Sequence, residues 1–141
     1  MNCALCQLSE ADQIYSTDHW RVVVNHNQNK LGKCMVCLRR HDQDICNLSE
    51  TEVCDLWTTI RELKVALVRC FEPDHFNYAF LMNQDAHVHL HVVPRYRGTR
   101  MFAGIEFQDS EAIMEQRLDL HTHWQLVAAL RQALGGNPQE V

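Results

Sequence analysis

The 141 residues carry a formal net charge of −5 and are 46% hydrophobic and 22% charged, which is the balance of one ordinary globular domain. The sequence has no lysine or arginine block, so we expect no long nucleic-acid partner, although nucleotide-sized ligands remain possible. No apolar run approaches the roughly 18 residues of a membrane span, and the N-terminus lacks a signal-peptide layout. With an odd number of scattered cysteines, seven in all, these features predict a cytoplasmic protein without a disulfide framework.

A Cys-x-x-Cys motif, formed by Cys3 and Cys6, stands near the start of the chain. Such a pair fits half of a zinc site, a redox pair or two small apolar side chains. A redox motif requires a strand before it and a helix after it, and no strand precedes this one. The position therefore favours zinc, provided that two further ligands exist.

The pattern of apolar residues predicts an α+β fold with a mainly antiparallel sheet of about five strands. A capping box that starts at Ser49 opens a long helix, which ends near Cys70 and packs an apolar stripe across the sheet. A C-terminal helix is predicted over residues 122–134. We interpret residues 1–141 as a single domain with a core of about 3–107. The predicted strands are 13–16, 20–25, 33–38, 76–82 and 87–93.

A second Cys-x-x-Cys pair, Cys34 and Cys37, lies within the third predicted strand. Residues three apart on a strand face opposite sides, so these two thiols cannot share one metal unless a turn separates them. No glycine or proline lies between them to make such a turn. We therefore interpret both as buried small side chains and not as half of a zinc ribbon.

Histidine alternates with apolar residues along the segment from His87 to Pro94. On an extended strand the three histidines face one side, the apolar residues enter the core, and Pro94 ends the strand because it lacks an N–H. Such a row permits a merely structural polar face, a zinc site or chemistry at phosphorus with a neutral imidazole as nucleophile. Strict alternation of three histidines favours a chemical role.

This segment resembles the signature of the histidine-triad family, His-φ-His-φ-His-φ-φ, where φ is hydrophobic, and the order of elements is similar over about residues 3–107. The resemblance implies a homodimer that hydrolyses a small nucleotide through a nucleotidyl-histidine intermediate, without an organic cofactor. It implies that His89 is the nucleophile and that His91 contacts the phosphate and leaving group. The expected substrate is a nucleoside phosphoramidate or a dinucleoside polyphosphate.

Bacterial members of this family also suggest where the missing zinc ligands lie. In several of them a structural zinc is held by an N-terminal Cys-x-x-Cys, a histidine after the third strand and the first triad histidine. Carried over to this chain, the set is Cys3, Cys6, His41 and His87, a Cys2His2 tetrahedron. The alternative is that both cysteines are free thiols.

The same resemblance implies a substrate-binding set and shows where this chain departs from the family. It places Asn25 at the ribose and Asn83 at the phosphate, although both also suit ordinary turns. Lys33 replaces a histidine, and its ammonium either reaches the phosphates or points to solvent. Gln84 is the comparable amide in a turn that is shorter than in relatives. The expected substrate contacts are Asn25, Lys33, Asn83 and Gln84.

Two other functions remain open from the sequence. Lys33 makes a nucleotide-binding module with little turnover plausible, and a Lys33→His variant with much higher activity would support it. A zinc-dependent hydrolase that uses the three histidines as metal ligands is the other, and a chelator would abolish its activity at once.

Overall fold

The computed structural model describes residues 3–135, and within them the chain forms a five-stranded antiparallel sheet with two helices. The strands are β1 (Gln13–Ser16), β2 (Trp20–Val24), β3 (Cys34–Leu38), β4 (His75–Ala79) and β5 (His89–Arg95), in the order β1-β2-β3-β5-β4. The helices are α1 (Glu50–Phe71) and α2 (Leu120–Ala133). A separate two-stranded ribbon pairs β6 (Arg100–Phe102) with β7 (Ile105–Phe107). The predicted α+β fold is confirmed.

The two faces of the sheet are buried in different ways because side chains alternate along each strand. One face packs against α1 and α2 in the main core, to which β5 contributes Leu90 and Val92. The opposite face holds a smaller apolar cluster beneath the N-terminal segment. Cys34 belongs to the main core and Cys37 to the smaller cluster, so the prediction that they face opposite sides is confirmed. Burial raises the pKa of Cys37 to about 12, which keeps it a thiol.

The capping box predicted at the start of α1 is present. The Ser49 hydroxyl accepts from the Glu52 backbone N–H at 3.1 Å, and the Glu52 carboxylate accepts from the Ser49 N–H at 2.9 Å. The same carboxylate accepts two hydrogen bonds from the Arg40 guanidinium, at 2.7 and 2.9 Å. This contact ties the beginning of α1 to the segment after β3, where His41 lies. Among the described residues no helix is both long and apolar enough to cross a bilayer.

Two predictions about the triad strand are wrong. β4 ends at Ala79 and β5 begins at His89, so residues 80–88 form a longer loop than the predicted four-residue turn. Pro94 does not end β5 but pairs with Phe76 of β4 inside it. The ladder between β3 and β5 extends only to Val92, so proline's missing N–H costs no bond on the β3 side.

A hydrogen-bonded group of two histidines and Asp12 connects α2 to the segment just before β1. His123, only 1% exposed, contacts Asp12 Oδ1 through Nε2 at 2.8 Å, and His26 Nε2 contacts the other carboxylate oxygen at 3.0 Å. The two imidazole rings stack 4.0 Å apart with planes 13° from parallel. In-plane lone pairs on such parallel rings cannot converge on one metal ion, so we interpret the group as a clamp in which both rings donate to Asp12.

We expect His123→Ala to lower the free energy of unfolding by about 2 kcal/mol, because it removes a buried ring and a hydrogen bond between α2 and Asp12. Denaturant unfolding would measure the loss. His26→Ala is the matched control: it removes the partly exposed ring from the same carboxylate and should cost less than about 1 kcal/mol. Equal losses from the two variants would contradict this account.

Candidate active site and metal-ligating cluster

The two histidines predicted to be catalytic lie side by side on the face of the sheet opposite α1. Their Nε2 atoms are 3.2 Å apart, and His89 is only 4% exposed. The Nδ1 atom of His89 lies 2.7 Å from the main-chain oxygen of His87, and because a carbonyl can only accept, Nδ1 carries the hydrogen. In the neutral ring the other nitrogen, Nε2, therefore carries the lone pair, and it lies against His91. The acceptor that fixes this tautomer, which the sequence did not identify, is a carbonyl two residues away.

The second of these histidines, His91, sits in an environment that favours its neutral form. Burial lowers the pKa of His91, and the charges of His89 and Lys33 lower it further. A neutral imidazole keeps one N–H to donate and one lone pair to accept. Near neutral pH, His91 is therefore a hydrogen-bond donor to an anionic group more than a fixed positive charge.

A cavity of about 360 Å³ opens in front of the two histidines. Three predicted substrate contacts, Asn25, Asn83 and Gln84, line it together with His89 and His91. The structure thus brings together residues that are far apart in the sequence. Sequence reasoning missed three further lining residues, Met35, Leu81 and Asp85.

The missed residues differ in how well the sequence could have revealed them. Met35 pairs with His91 across β3 and β5, a register that single-sequence reasoning did not establish. Asp85 directly follows Gln84 in the predicted turn, so its position next to a predicted substrate contact indicated that it could line the cavity. Leu81 follows the true end of β4, whereas the sequence pattern placed it inside that strand.

The fourth predicted substrate contact, Lys33, is not among the residues that line the cavity. Its ammonium lies 2.6 Å from Asn29 Oδ1. Burial lowers the pKa of Lys33, and the nearby charges of Lys30 and Arg117 act in the same direction. Lys33 acts on the site through its charge, which reaches His91.

The loop that carries Asn25 is held by a segment beyond the triad. Asn27 donates to the Met114 carbonyl at 3.0 Å and accepts from the Gln116 N–H at 2.9 Å. Asn25 Oδ1 in turn accepts from the Asn27 N–H at 2.9 Å. Within the described part of the chain the amide nitrogen of Asn25 has no hydrogen-bond partner, so it remains available as a donor at the cavity wall.

The four predicted metal ligands converge on the side of the triad nearest the N-terminus. His87 Nδ1 lies 3.4 Å from each cysteine sulfur, that of Cys3 and that of Cys6, and 3.1 Å from His41 Nδ1. Cys6 Sγ is 3.3 Å from His41 Nδ1, and all four atoms lie within 4.8 Å of one another. Tetrahedral zinc with bonds of about 2.0–2.3 Å separates its ligands by about 3.3–3.8 Å. The cluster therefore has the size and the donor set of a Cys2His2 site.

The four ligands come from three segments of the chain: the N-terminal segment, the residues after β3 and the residues before β5. Cys3 and Cys6 flank the buried Leu5, which packs in the smaller apolar cluster. His87 Nε2 lies 2.7 Å from the Leu38 carbonyl, so Nε2 carries the hydrogen and Nδ1 offers its lone pair to the cluster. Burial lowers the pKa of His87, which favours the neutral ring that metal binding needs.

Several solved structures are similar to this one. A histidine triad nucleotide-binding protein from Sulfolobus tokodaii superposes with a TM-score of 0.78 at 13% identity, covering 94% of this chain and 92% of that one. A Zn-bound histidine triad family protein from Mycobacterium smegmatis gives 0.72 at 20% identity, with 96% and 94% covered. Diadenosine triphosphate hydrolase from Plasmodium falciparum gives 0.71 at 12% identity, with 91% and 79% covered. No curated protein matches the chain.

These structural similarities establish the fold, and a match between the sequence and a family model identifies the family. The family model described as HIT domain matches residues 7–98, which include the three histidines of the triad. That match spans well over half of the chain. The chain belongs to the HIT domain family.

Proposed function

We propose that this protein is a nucleotide hydrolase that cleaves a nucleoside phosphoramidate or a dinucleoside polyphosphate through a nucleotidyl-histidine intermediate on His89. The observation that carries the proposal is the hydrogen bond from His89 Nδ1 to the His87 carbonyl at 2.7 Å. In the neutral ring it leaves the lone pair on Nε2 at the cavity, and this nitrogen is the proposed nucleophile. Membership of the family supports a nucleotide ligand, and the Plasmodium neighbour is named as a hydrolase of a dinucleoside polyphosphate.

The first chemical step joins His89 Nε2 to the α-phosphorus. The bond from phosphorus to the leaving nitrogen or oxygen breaks, its electron pair goes to that atom, and the atom takes up a proton from solvent. The imidazole becomes a cation that keeps its Nδ1 hydrogen, and the His87 carbonyl stabilises this charge. Water then attacks phosphorus, loses a proton to solvent and releases His89. His91 donates to the phosphate oxygens during both steps.

The polar side chains at the cavity supply the substrate contacts in this proposal. Asn25 presents its amide N–H groups to the sugar, while Asn83 and Gln84 donate to phosphate oxygens. Lys33 does not line the cavity, so we assign it an indirect part: its charge favours the neutral form of His91. This arrangement favours an uncharged His91 before substrate binds.

We expect wild-type protein to gain the mass of one nucleotidyl group after brief incubation with an adenosine phosphoramidate or a diadenosine polyphosphate. His89→Ala and His89→Gly should gain none, because they lack the attacking nitrogen, and should lose activity by about 10³-fold or more. Intact-protein mass spectrometry after an alkaline quench measures the adduct, since phosphoramidate bonds are acid-labile. His121→Ala, a change in an exposed histidine at the start of α2, is the matched control.

A nucleotide-binding module with little turnover is the second candidate, and the replacement of a histidine by Lys33 favours it. Tight nucleotide binding with neither adduct nor turnover would establish this alternative. Lys33→His should then raise activity sharply, because a neutral ring at this position can accept a hydrogen bond and a lysine ammonium cannot.

We further propose that Cys3, Cys6, His41 and His87 hold a structural zinc ion. The fit of the ligand distances to a tetrahedral site supports this proposal, and the zinc-bound neighbour from Mycobacterium smegmatis is consistent with it. A zinc ion here would cross-link the N-terminal segment to the residues that flank β3 and β5. Its thiolate ligands require a reducing compartment, which is why we propose a cytoplasmic location.

Cys6→Ser should abolish stoichiometric zinc, measured by elemental analysis, and lower the free energy of unfolding by on the order of 3 kcal/mol. Cys54→Ser, a change at an exposed cysteine on α1, should do neither. Hydrolysis by the folded Cys6→Ser variant should persist, because the zinc site contains neither His89 nor His91. Immediate loss of activity on chelation, with the fold intact, would instead favour a zinc-dependent hydrolase.

A homodimer is the assembly that we propose. β4 stands at the edge of the sheet, so one side of its backbone has no partner strand within the described chain. Beside it an apolar groove of about 650 Å³ runs along α1, lined by Trp57, which is 58% exposed, and Tyr78. A second copy related by a two-fold axis would extend the sheet through β4 and cover this groove.

We expect Trp57→Glu to shift the protein from dimer to monomer in sedimentation experiments, because it places a charge inside the proposed interface. Met101→Glu makes the same change at an exposed apolar residue of β6, outside the groove, and should leave the dimer intact. A wild-type protein that sediments as a monomer would contradict the assembly.

A further inference from the structure

The cavity contains one carboxylate that the proposed reaction does not use. Asp85 lines the cavity beside His89, is partly buried, and has neither a hydrogen bond nor an ion pair within the described residues. Two other acids with little exposure are paired with cations, Asp109 with Arg95 and Glu52 with Arg40. A ligand that brings a positive group into the cavity gains a Coulomb attraction from this unpaired carboxylate.

The rest of the cavity wall does not offset this charge. None of the described residues that line it is a lysine or an arginine, and the remaining polar groups are amides and histidines. Lys33 lies outside the wall with its ammonium on Asn29. A substrate with one phosphate brings a charge that His91 and the amides can hold. A polyphosphate chain brings further negative charges into a cavity whose described lining residues include a carboxylate but no lysine or arginine.

We propose that Asp85 selects the leaving group: the site prefers nucleoside phosphoramidates whose leaving amine carries a positive charge, and it disfavours dinucleoside polyphosphates. This inference rests on the proposed function and names the substrate class of the same site. Asp85 attracts the cationic end of the leaving group and so holds the phosphorus–nitrogen bond in line with His89.

The chemistry of the step balances for such a substrate. His89 Nε2 forms its bond to phosphorus while the phosphorus–nitrogen bond breaks, and nitrogen keeps the electron pair and takes up a proton from solvent. The amine leaves with its distal ammonium still facing Asp85. Because Asp85 neither gives nor takes a proton, it is a specificity-determining residue and not an acid or a base.

A matched series of substrates tests the proposal. Adenosine 5′-phosphoramidates with 2-aminoethyl, n-propyl and 2-carboxyethyl groups on nitrogen have the same reacting bond and differ chiefly in the charge at the end of the chain. For two unit charges near a partly exposed cavity we expect about fivefold in kcat/KM for each unit of charge, in the order cation, neutral, anion. Diadenosine tetraphosphate should be cleaved more slowly than the cationic member.

Variants of Asp85 separate its effect from that of the protein as a whole. Asp85→Asn keeps the size of the side chain and should compress the ranking to within about twofold, while Asp85→Lys should reverse it. Glu62→Gln removes the same charge from the exposed surface of α1 and should preserve the wild-type ranking. A ranking that is absent in wild type, or that survives in Asp85→Asn, overturns the proposal.

Failure of the proposed function would be recognised separately. A protein that forms no His89 adduct with any member of the series is not a hydrolase of these substrates. Calorimetry would then measure the affinities of the same three compounds for wild type and Asp85→Asn. These affinities test the charge preference independently of turnover. Equal affinities in wild type would overturn the role of Asp85, whether or not the protein turns its ligand over.

Discussion

The hydrogen bond between His89 Nδ1 and the His87 carbonyl is the contact on which the rest of the site depends. It decides which ring nitrogen of neutral His89 holds the proton, and so which nitrogen attacks in the proposed reaction. The same residue that offers this carbonyl turns its own ring the other way: His87 Nε2 binds the Leu38 carbonyl, and Nδ1 faces the cysteines. One short segment thus sets the tautomers of two histidines for two different purposes. Displacing His87 would disturb both sites together.

The sheet keeps these two sites distinct although they are close together. Because alternate residues of β5 face opposite sides, Leu90 and Val92 anchor the strand in the main core while His89 and His91 stay on the other face. The packing of Leu90 and Val92 in the main core holds the neighbouring histidines in place. The N-terminal segment then covers part of the same face through Leu5, next to the cysteine ligands. In this arrangement a zinc ion would reinforce packing that is already apolar.

The charges around the cavity are unevenly distributed, and this sets what the site can accept. Lys33 lies beyond His91 and acts through its field, whereas Asp85 lies within the wall itself. The family's usual histidine is absent here, yet the tautomer of the nucleophile needs no side-chain partner because a main-chain carbonyl supplies it. This is the physical reason why lysine at position 33 is compatible with the role that we propose for His89. The change alters the electrostatics of the site more than its geometry.

The sequence by itself determined the local features of this protein, since period-2 alternation, the capping box at Ser49 and the opposite orientations of Cys34 and Cys37 depend only on near neighbours. A motif resemblance added the ligand and nucleophile assignments. Tertiary structure alone decided the rest. The place of Pro94 inside β5 depends on where β3 ends, and the wall position of Asp85 depends on how the loop 80–88 folds over the sheet. Such features arise from contacts between distant segments, which no local pattern encodes.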